Sequence, residues 1–166
     1  MSPFPLPFLF IALGLLLGAC ATGPAFNTYG ADTALTPREA VRQPSRAAGH
    51  QVAWGGVIIQ SSNLQDRTRL EILAYPLDGD NRPDTEARPT GRFLAEREGY
   101  LETVNYAPGR LVTVVGPVTE TRRGRIGETE YEYPVVAARR IQLWQPARRY
   151  SEPQVRFGVG VGVIFD

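Results

Sequence analysis

The side chains able to do chemistry occur in a few short stretches, and the most acidic of these follows Tyr75. Its oxygen-bearing side chains are Asp78, Asp80, Asn81 and Asp84. Oxygen ligands at alternate positions are typical of calcium-binding loops. The spacing fails here, because Arg82 takes the fifth position and no glutamate stands at the twelfth. We therefore interpret the stretch as a polar turn and predict no metal site in it.

A second charged stretch runs through residues 122–132. Side chains alternate in an extended strand, so one face would carry Glu128, Glu130 and Glu132. Three arginines lie across a possible turn at residues 124–127, namely Arg122, Arg123 and Arg125. A carboxylate cluster can serve acid–base chemistry on glycans, but that requires a raised pKa inside a cleft. We expect a solvated hairpin, whose facing charges contribute only about 0.2–1 kcal/mol per pair.

Aromatic residues are numerous enough to suggest a platform on which bases or sugars could stack. They are Trp54, Tyr75, Phe93, Tyr100, Tyr106, Tyr131, Tyr133 and Trp144. Most stand in apolar strand patterns, which favours packing in the core. Tyr100 and Tyr106 lie in a polar stretch and are kept as candidate surface contacts. Arg92 and Arg110, each beside a glycine at a strand start, could pair with loop acids, and His50 is expected to be an exposed structural residue.

The most specific chemical signal is Cys20, the only cysteine in the chain. It follows an uncharged apolar run over residues 4–18, which is shorter than the 20 or so residues of a membrane-spanning helix and fits an export signal. The sequence Leu17-Gly18-Ala19-Cys20 resembles the lipobox of bacterial lipoproteins. We predict cleavage between Ala19 and Cys20 and lipidation of the Cys20 thiol. Ala21 is not the aspartate typical of inner-membrane retention, so the resemblance to these lipoproteins implies an outer-membrane location. We expect the domain to face the periplasm, with exposure at the cell surface as the alternative.

Composition excludes several classes of function. After removal of residues 1–19 the chain has room for one domain. The formal net charge of +1 argues against a dedicated nucleic-acid binder. A lipidated Cys20 leaves no thiol, and with one histidine there is little material for a zinc site or a serine–histidine triad. No catalytic residue, cofactor or metal ligand is predicted.

The remaining pattern is that of strands. Thr36-Pro37-Arg38-Glu39 predicts the start of a short helix that ends before Pro44. Glycine at positions 55 and 56 suggests a bulge or sharp bend. The predicted strands are Gln51–Gln60, Arg69–Tyr75, Arg92–Glu96, Arg110–Thr119 and Pro134–Trp144. This count predicts an all-β fold, a small, partly closed antiparallel β-barrel of OB-like type, with a β-sandwich as the alternative.

Ordered short motifs along these strands also carry a family resemblance. They are Trp54-Gly55-Gly56-Val57-Ile58, Tyr75-Pro76-Leu77, Arg82-Pro83, Gly91-Arg92-Phe93, Tyr106, Gly109-Arg110, Val112–Gly116, Ile126-Gly127-Glu128, Tyr131, Tyr133–Val136 and Leu143-Trp144. Together with the lipobox, residues 36–145 resemble the Slp family, the starvation-inducible outer-membrane lipoproteins of Gram-negative bacteria. The resemblance implies a location in the cell envelope and a link to stress or starvation, and it supplies no known catalytic activity.

We divide the chain into a signal peptide (1–19), a lipidated flexible tether (20–36), a β domain (37–145) and a spacer with a Gly/Val-rich tail (146–166). The tail alternates Val or Phe with glycine and could cover a sheet edge, pair with a partner or second copy, or stay disordered. We expect it to contact the membrane or another chain. The leading hypothesis is a non-enzymatic protein that binds or braces another envelope component. The alternatives are an enzyme acting on cell-wall glycan or lipid and an OB-type binder of an anionic oligomer.

Overall fold

The structure, a computed structural model, describes residues 26–145. The predicted signal peptide, the cleavage and lipidation site at Ala19 and Cys20, and the tail 146–166 lie outside the described residues. Within residues 26–145, no helix is long and apolar enough to cross a membrane.

Two short helices precede the strands. Helix α1 (Pro37–Arg42) begins as predicted, with the Thr36 side chain accepting a hydrogen bond from the Glu39 backbone and the Glu39 carboxylate accepting one from the Thr36 backbone. The second helix, α2 (Pro44–Ala47), was not predicted. Pro44 does end α1, but proline is also favourable at the first position of a helix, where its missing N–H costs nothing. Each helix buries one alanine in the main core.

Six strands follow, and five of them close a ring. They are β1 (Gln51–Asn63), β2 (Arg67–Tyr75), β3 (Gly91–Glu98), β4 (Leu111–Ile126), β5 (Thr129–Ala137) and β6 (Arg140–Leu143). The ring order is β1-β2-β3-β5-β4, with β4 pairing back onto β1, while β6 adds to β4. The predicted all-β, OB-like fold is confirmed. One detail is corrected: the β3–β5 pairing is parallel, so the ring is not wholly antiparallel.

The ring closes because β1 is long enough to serve two neighbours. Its first half pairs with β4 and its second half with β2. The expected bulge at Gly55–Gly56 is displaced, since the register shift lies between Ile58 and Gln60. The glycines serve close packing instead. A Cβ on Gly56 would stand 1.9 Å from the carbonyl oxygen of Leu73 on β2.

The fifth predicted strand, Pro134–Trp144, is two strands in the structure. Strand β5 begins earlier, in the hairpin with β4, and ends at Ala137. The chain then crosses at Ala138 and Arg139, whose backbone N–H groups donate to Glu96 on β3 and Val115 on β4. These two bonds hold the chain as it passes from the end of β5, beside β3, to the first half of β4, where β6 pairs.

The core fills the ring, and Trp54 lies within it. The indole is 4% exposed, meets the Phe93 ring edge-on at 5.3 Å, and donates through Nε1 to the carbonyl of Leu35 at 2.6 Å. A second, smaller cluster of Leu94, Tyr133 and Val135 is buried apart from this core.

Residues 26–36 were expected to be part of a flexible tether, but they lie against the ring. Asp32 forms a bridge with Val52 on β1, and its carboxylate accepts from the backbone of Ala34 and Leu35. These bonds hold the pKa of Asp32 below its usual value, the Leu35 N–H contributing most. The prediction missed this contact because the segment is short and has no hydrophobic period. The remainder of the domain division stays a prediction.

Candidate functional site on the outer face of the ring

The outer surface of the sheet carries a groove of about 250 Å³. Strand alternation places it there: along β2 every second residue, such as Leu70 and Ile72, is buried, and the intervening Arg69 and Glu71 project outward. We call this surface the outer groove. Its lining residues are Gln60, Ser62, Arg69, Glu71, Leu94, Arg122, Arg123, Gly124, Arg125 and Tyr133.

Glu96 anchors one end of the charged network beside the outer groove. Its side chain is 10% exposed and accepts from three arginines: Arg122 at 2.6 Å, Arg69 at 2.8 Å and Arg67 at 3.2 Å. Arg122 also binds Glu120. Burial pushes the pKa of Glu96 upward, but the hydrogen bonds from Arg122 and Arg69 outweigh burial, so the pKa lies below its usual value. Glu96 is therefore a charged acceptor at neutral pH, and it links three strands.

Glu71 anchors a second pairing on the same face. Its Oε1 accepts from Arg92 at 2.6 Å and from the Tyr133 hydroxyl at 3.2 Å. Burial and the nearby Glu71 charge raise the pKa of Tyr133 to about 12. Tyr133 is thus a neutral hydrogen-bond donor at physiological pH and cannot act as a phenolate nucleophile.

The floor of the groove is apolar. Tyr133 packs beside Leu94 and meets the Tyr131 ring edge-on at 4.7 Å. Gly124 on β4 leaves room for it, because a Cβ there would stand 2.9 Å from the Tyr133 ring. The Tyr131 hydroxyl accepts from the Arg92 backbone N–H at 3.0 Å.

The positions of Glu71 and Glu96 test the possibility of acid–base chemistry. Glu71 faces Leu94 and Arg69 faces Glu96, so the two carboxylates are diagonal neighbours on adjacent strands. The backbones of such neighbours lie about 7–8 Å apart, so their side chains could reach the carboxylate spacing of a glycosidase pair. The electrostatics are unfavourable, since a general acid needs a raised pKa and the pKa of Glu96 is lowered.

The acidic loop after Tyr75 is organised by hydrogen bonds to its own backbone. The Asp78 carboxylate accepts from the N–H groups of Asp80 and Arg82, and Asp84 accepts from that of Glu86. Asn81 has a φ of +62°, which asparagine tolerates. Among residues 26–145, no three His, Cys, Asp or Glu side chains are grouped to hold a metal ion.

The charged hairpin has the predicted facing charges. Arg123 stands opposite Glu132 with 3.6 Å between Nε and Oε1, and Arg125 stands opposite Glu130. Arg122 departs from this scheme, because it turns to Glu96. Glu71 and Glu96 themselves were not singled out, although the alternation of Arg69, Glu71 and of Arg92, Glu96 places these charges on one face of each strand.

The candidate aromatics divide between core and surface. Trp54, Phe93 and Tyr133 are buried, while Tyr75, Tyr106 and Tyr131 are half-buried. Tyr100 is 70% exposed and donates its hydroxyl to the Gln65 carbonyl. Trp144 lies outside the ring, half-buried, with its Nε1 donating to Thr113 Oγ1 at 2.9 Å.

The remaining candidates lie apart from the outer groove or pair differently from expectation. Arg92 binds a strand acid, Glu71, and Arg110 donates to the Trp144 carbonyl at 3.4 Å, so neither binds a loop acid. His50 is exposed, and its Nε2 lies 3.1 Å from the Asp32 carboxylate.

Comparison with known proteins gives consistent matches. A family model described as "Outer membrane lipoprotein Slp family" matches residues 17–161, a span that includes Cys20. The "Outer membrane protein Slp" of Escherichia coli K12 is 34% identical over 82% of this chain and 73% of its own length. The "Uncharacterized lipoprotein YeaY" of the same organism is 32% identical over 84% of this chain and 72% of its own length.

Among solved structures, one that overlaps loosely with this chain is a small single-stranded DNA-binding protein from Streptomyces coelicolor, with a TM-score of 0.33 and 14% identity over 56% of this chain and 92% of its own. An overlap this loose has no bearing on function.

Proposed function

The chain belongs to the Slp family of outer membrane lipoproteins, and from this premise we propose that it is a non-enzymatic binding or bracing protein of the cell envelope. Cys20 carries the lipid in this proposal, and the β domain faces the periplasm. The outer groove is the surface that engages another envelope component. The link to stress or starvation stays a prediction.

The observation that carries this proposal is the arrangement around Glu96. A catalytic carboxylate must exchange protons or attack a substrate, and both require an oxygen that is free to react. Arginines donate to both oxygens of the Glu96 carboxylate, and Glu71 Oε1 accepts from Arg92 and Tyr133. These bonds suit a rigid surface better than a reactive one.

The composition of the outer groove also fits recognition. An apolar floor with a few oriented polar groups is typical of binding sites. In OB-like folds the face of the second and third strands is the usual ligand surface. Of the arginines that line the groove, Arg69 and Arg122 are balanced by Glu96 and Glu120. Arg123 and Arg125 stand opposite Glu132 and Glu130 on β5. This balance of charges favours a partner with mixed polar character over a strongly anionic oligomer.

Site-specific photocrosslinking in cells tests the binding role. A photoreactive amino acid at Gln60, an exposed position of the groove wall, should yield a discrete adduct with an envelope component. The matched control is the same amino acid at Thr85, which is exposed in the loop between β2 and β3. Equal labelling at both positions, or no adduct at Gln60, would remove the support for the groove as the binding surface.

The enzymatic alternative has its own test, because Glu71 and Glu96 lie at a usable spacing. The purified protein should release no soluble fragments from isolated cell walls and no fatty acid from phospholipid vesicles. Turnover by the wild type that is lost in both Glu71→Gln and Glu96→Gln would contradict the non-enzymatic assignment.

A further inference from the structure

Both ends of the described chain lie on one surface, away from the outer groove. The Asn81 side chain donates to the Phe26 carbonyl at 3.0 Å, and Arg140 on β6 donates to the Asn27 carbonyl at 2.6 Å. At the other end, Arg82 donates to the Gln145 carbonyl at 3.4 Å. We call this surface the terminal face and define it by five side chains, Phe26, Tyr29, Arg82, Arg140 and Trp144.

The terminal face combines aromatic rings with arginines. The Arg82 guanidinium lies 5.6 Å from the centre of the Trp144 ring, and that of Arg140 lies 6.0 Å from the Phe26 ring. Tyr29 is 91% exposed, an unusual position for a tyrosine ring. Tryptophan and tyrosine collect at membrane–water interfaces, where their rings lie at the level of the headgroups. The Trp144 Nε1 is bonded to Thr113, so of these two residues only Tyr29 offers its polar tip to the headgroups.

The two arginines keep donors free for a ligand. Each donates to one backbone carbonyl, and among residues 26–145 no carboxylate lies within 4 Å of either guanidinium. The loop that carries Arg82 also carries Asp78 and Asp80. Asp78 Oδ1 accepts from two backbone N–H groups, but the carboxylate keeps its negative charge. Asp78 and Asp80, and farther along the same loop Asp84 and Glu86, therefore all oppose an anionic ligand, and the free donors of the two arginines have to outweigh them. Arginine is well suited to phosphate because its planar fork can donate two hydrogen bonds at once.

Chain length determines which surface must stay near the bilayer. Cys20 and Phe26 are six positions apart, which is at most about 20 Å of extended chain. A domain the size of residues 26–145 is about 35 Å across. A lipid on Cys20 therefore keeps the terminal face closer to the membrane than the domain is wide.

We propose that the terminal face docks on the phospholipid surface of the outer membrane, with Arg82 and Arg140 binding lipid phosphates and Tyr29 and Trp144 lying at the headgroup level. The inference rests on the lipid at Cys20 proposed above. It gives the protein a fixed orientation, in which the outer groove, on a different part of the ring, is presented away from the anchor.

The test uses the full-length lipidated protein reconstituted in vesicles of phosphatidylethanolamine and phosphatidylglycerol. A nitroxide label is placed at position 29 through Tyr29→Cys, and in a separate protein at position 130 through Glu130→Cys, as the matched control. Position 130 lies in the β4–β5 hairpin, and its strand partner Arg125 is ten residues beyond the β4 residue that pairs with Arg140. We expect the label at 29 to be accessible to oxygen. Its accessibility to a water-soluble nickel relaxant should be at least fivefold lower than that of the label at 130.

Charge reversal separates docking from mere proximity. Arg82→Glu with Arg140→Glu should abolish the protection of the label at 29, while Arg123→Glu with Arg125→Glu in the hairpin should leave it unchanged. Equal exposure of the two labels to the nickel relaxant would overturn the docking proposal. Survival of the protection in the Arg82/Arg140 double variant would overturn it too, because the label would then be protected without phosphate binding.

Flotation of the same samples distinguishes a failure of docking from a failure of the lipid anchor proposed at Cys20. Protein that floats with the vesicles but shows an exposed label at 29 retains its anchor and refutes only the docking. Protein that does not float has no lipid anchor, and the docking proposal falls together with the assignment of Cys20.

Discussion

The outer groove and the terminal face are built on the same ring but held together by different forces. Beside the groove, Glu96 collects three arginines from β2 and β4, so charge links the strands. Beneath the terminal face lies Thr113, which is fully buried, donates to the Asn81 carbonyl at 2.7 Å and accepts from Trp144 at 2.9 Å. The comparison teaches that acid should weaken the groove first, while the terminal face depends on neutral hydrogen bonds that pH leaves intact.

Removing the Thr113 hydroxyl should have the largest effect of the substitutions considered. Thr113→Val keeps the shape of the side chain but leaves the Asn81 carbonyl and the Trp144 indole N–H without their partner. An orphaned buried polar group costs about 1–3 kcal/mol, so we expect the free energy of unfolding to fall by about 2–4 kcal/mol. Urea denaturation of a chain beginning at Ala21 measures it. Thr121→Val, at an exposed position of the same strand, is the control, and an equal loss in both variants would contradict the role given to Thr113.

Glu96→Gln, beside the outer groove, should lower the free energy of unfolding by somewhat less than Thr113→Val does. A neutral amide cannot hold three guanidinium groups, and hydrogen bonds to charged groups are worth about 1.5–3 kcal/mol. We expect a loss within that range, because the arginines are partly exposed and water can replace part of each bond. Glu120→Gln, whose side chain is 51% exposed, should change stability by less than about 0.5 kcal/mol. A loss in Glu96→Gln no larger than in this control would refute the central place of Glu96.

The pH dependence of stability gives a further comparison of the outer groove with the terminal face. The pKa of Glu96 in the folded protein is below its ordinary value of 4.5, so its stabilisation is fully present above about pH 4.5 and is lost as the pH falls through the folded value. Unfolding measured from pH 6 downward should show this loss in the wild type and in Thr113→Val, and a reduced loss in Glu96→Gln. Parallel curves for wild type and Glu96→Gln would show that other carboxylates dominate the acid response.

The smallest effect is expected at the exposed pair of the hairpin. Arg123 is 89% exposed and 3.6 Å from Glu132, and surface ion pairs contribute at most about 1 kcal/mol. Glu132→Ala should therefore shift the free energy of unfolding by no more than about 0.5 kcal/mol at moderate salt. A larger shift would mean that the hairpin belongs to the same charge network as Glu96.

Strand positions were accessible from the sequence because alternation is a local signal. The strict pattern from Arg69 to Leu73 and the cap formed by Thr36 and Glu39 each depend on residues a few positions apart. The break between β5 and β6 was missed because neither residue at the break, Ala138 or Arg139, is a glycine or a proline. The break is set by backbone hydrogen bonds to strands that are distant in the sequence.

The charged groove was missed for a related reason. Alternation could place Glu96 on an outer face, but its partners Arg69 and Arg122 are 27 and 26 positions away in the sequence. Which arginine meets which carboxylate depends on the ring order, with β5 standing between β3 and β4. That order is a global property, and no single stretch of sequence contains it.

The segment that leads from the anchor into the ring also has a mechanical consequence. Residues 26–36 are joined to the ring by two backbone hydrogen bonds, from Asp32 to Gln51 and from Ala53 to Asp32. Side chains add further bonds, which run from Asn81 to Phe26, from Arg140 to Asn27 and from Trp54 to Leu35. A pull transmitted through the lipid would load these bonds before any bond between ring strands. Their release would free eleven residues, about 36 Å of extended chain, while the pairing of β1 with β4 stays intact. With a lipid on Cys20, the segment would therefore lengthen the connection between the lipid and the ring under tension and would pair with β1 again when the tension ends.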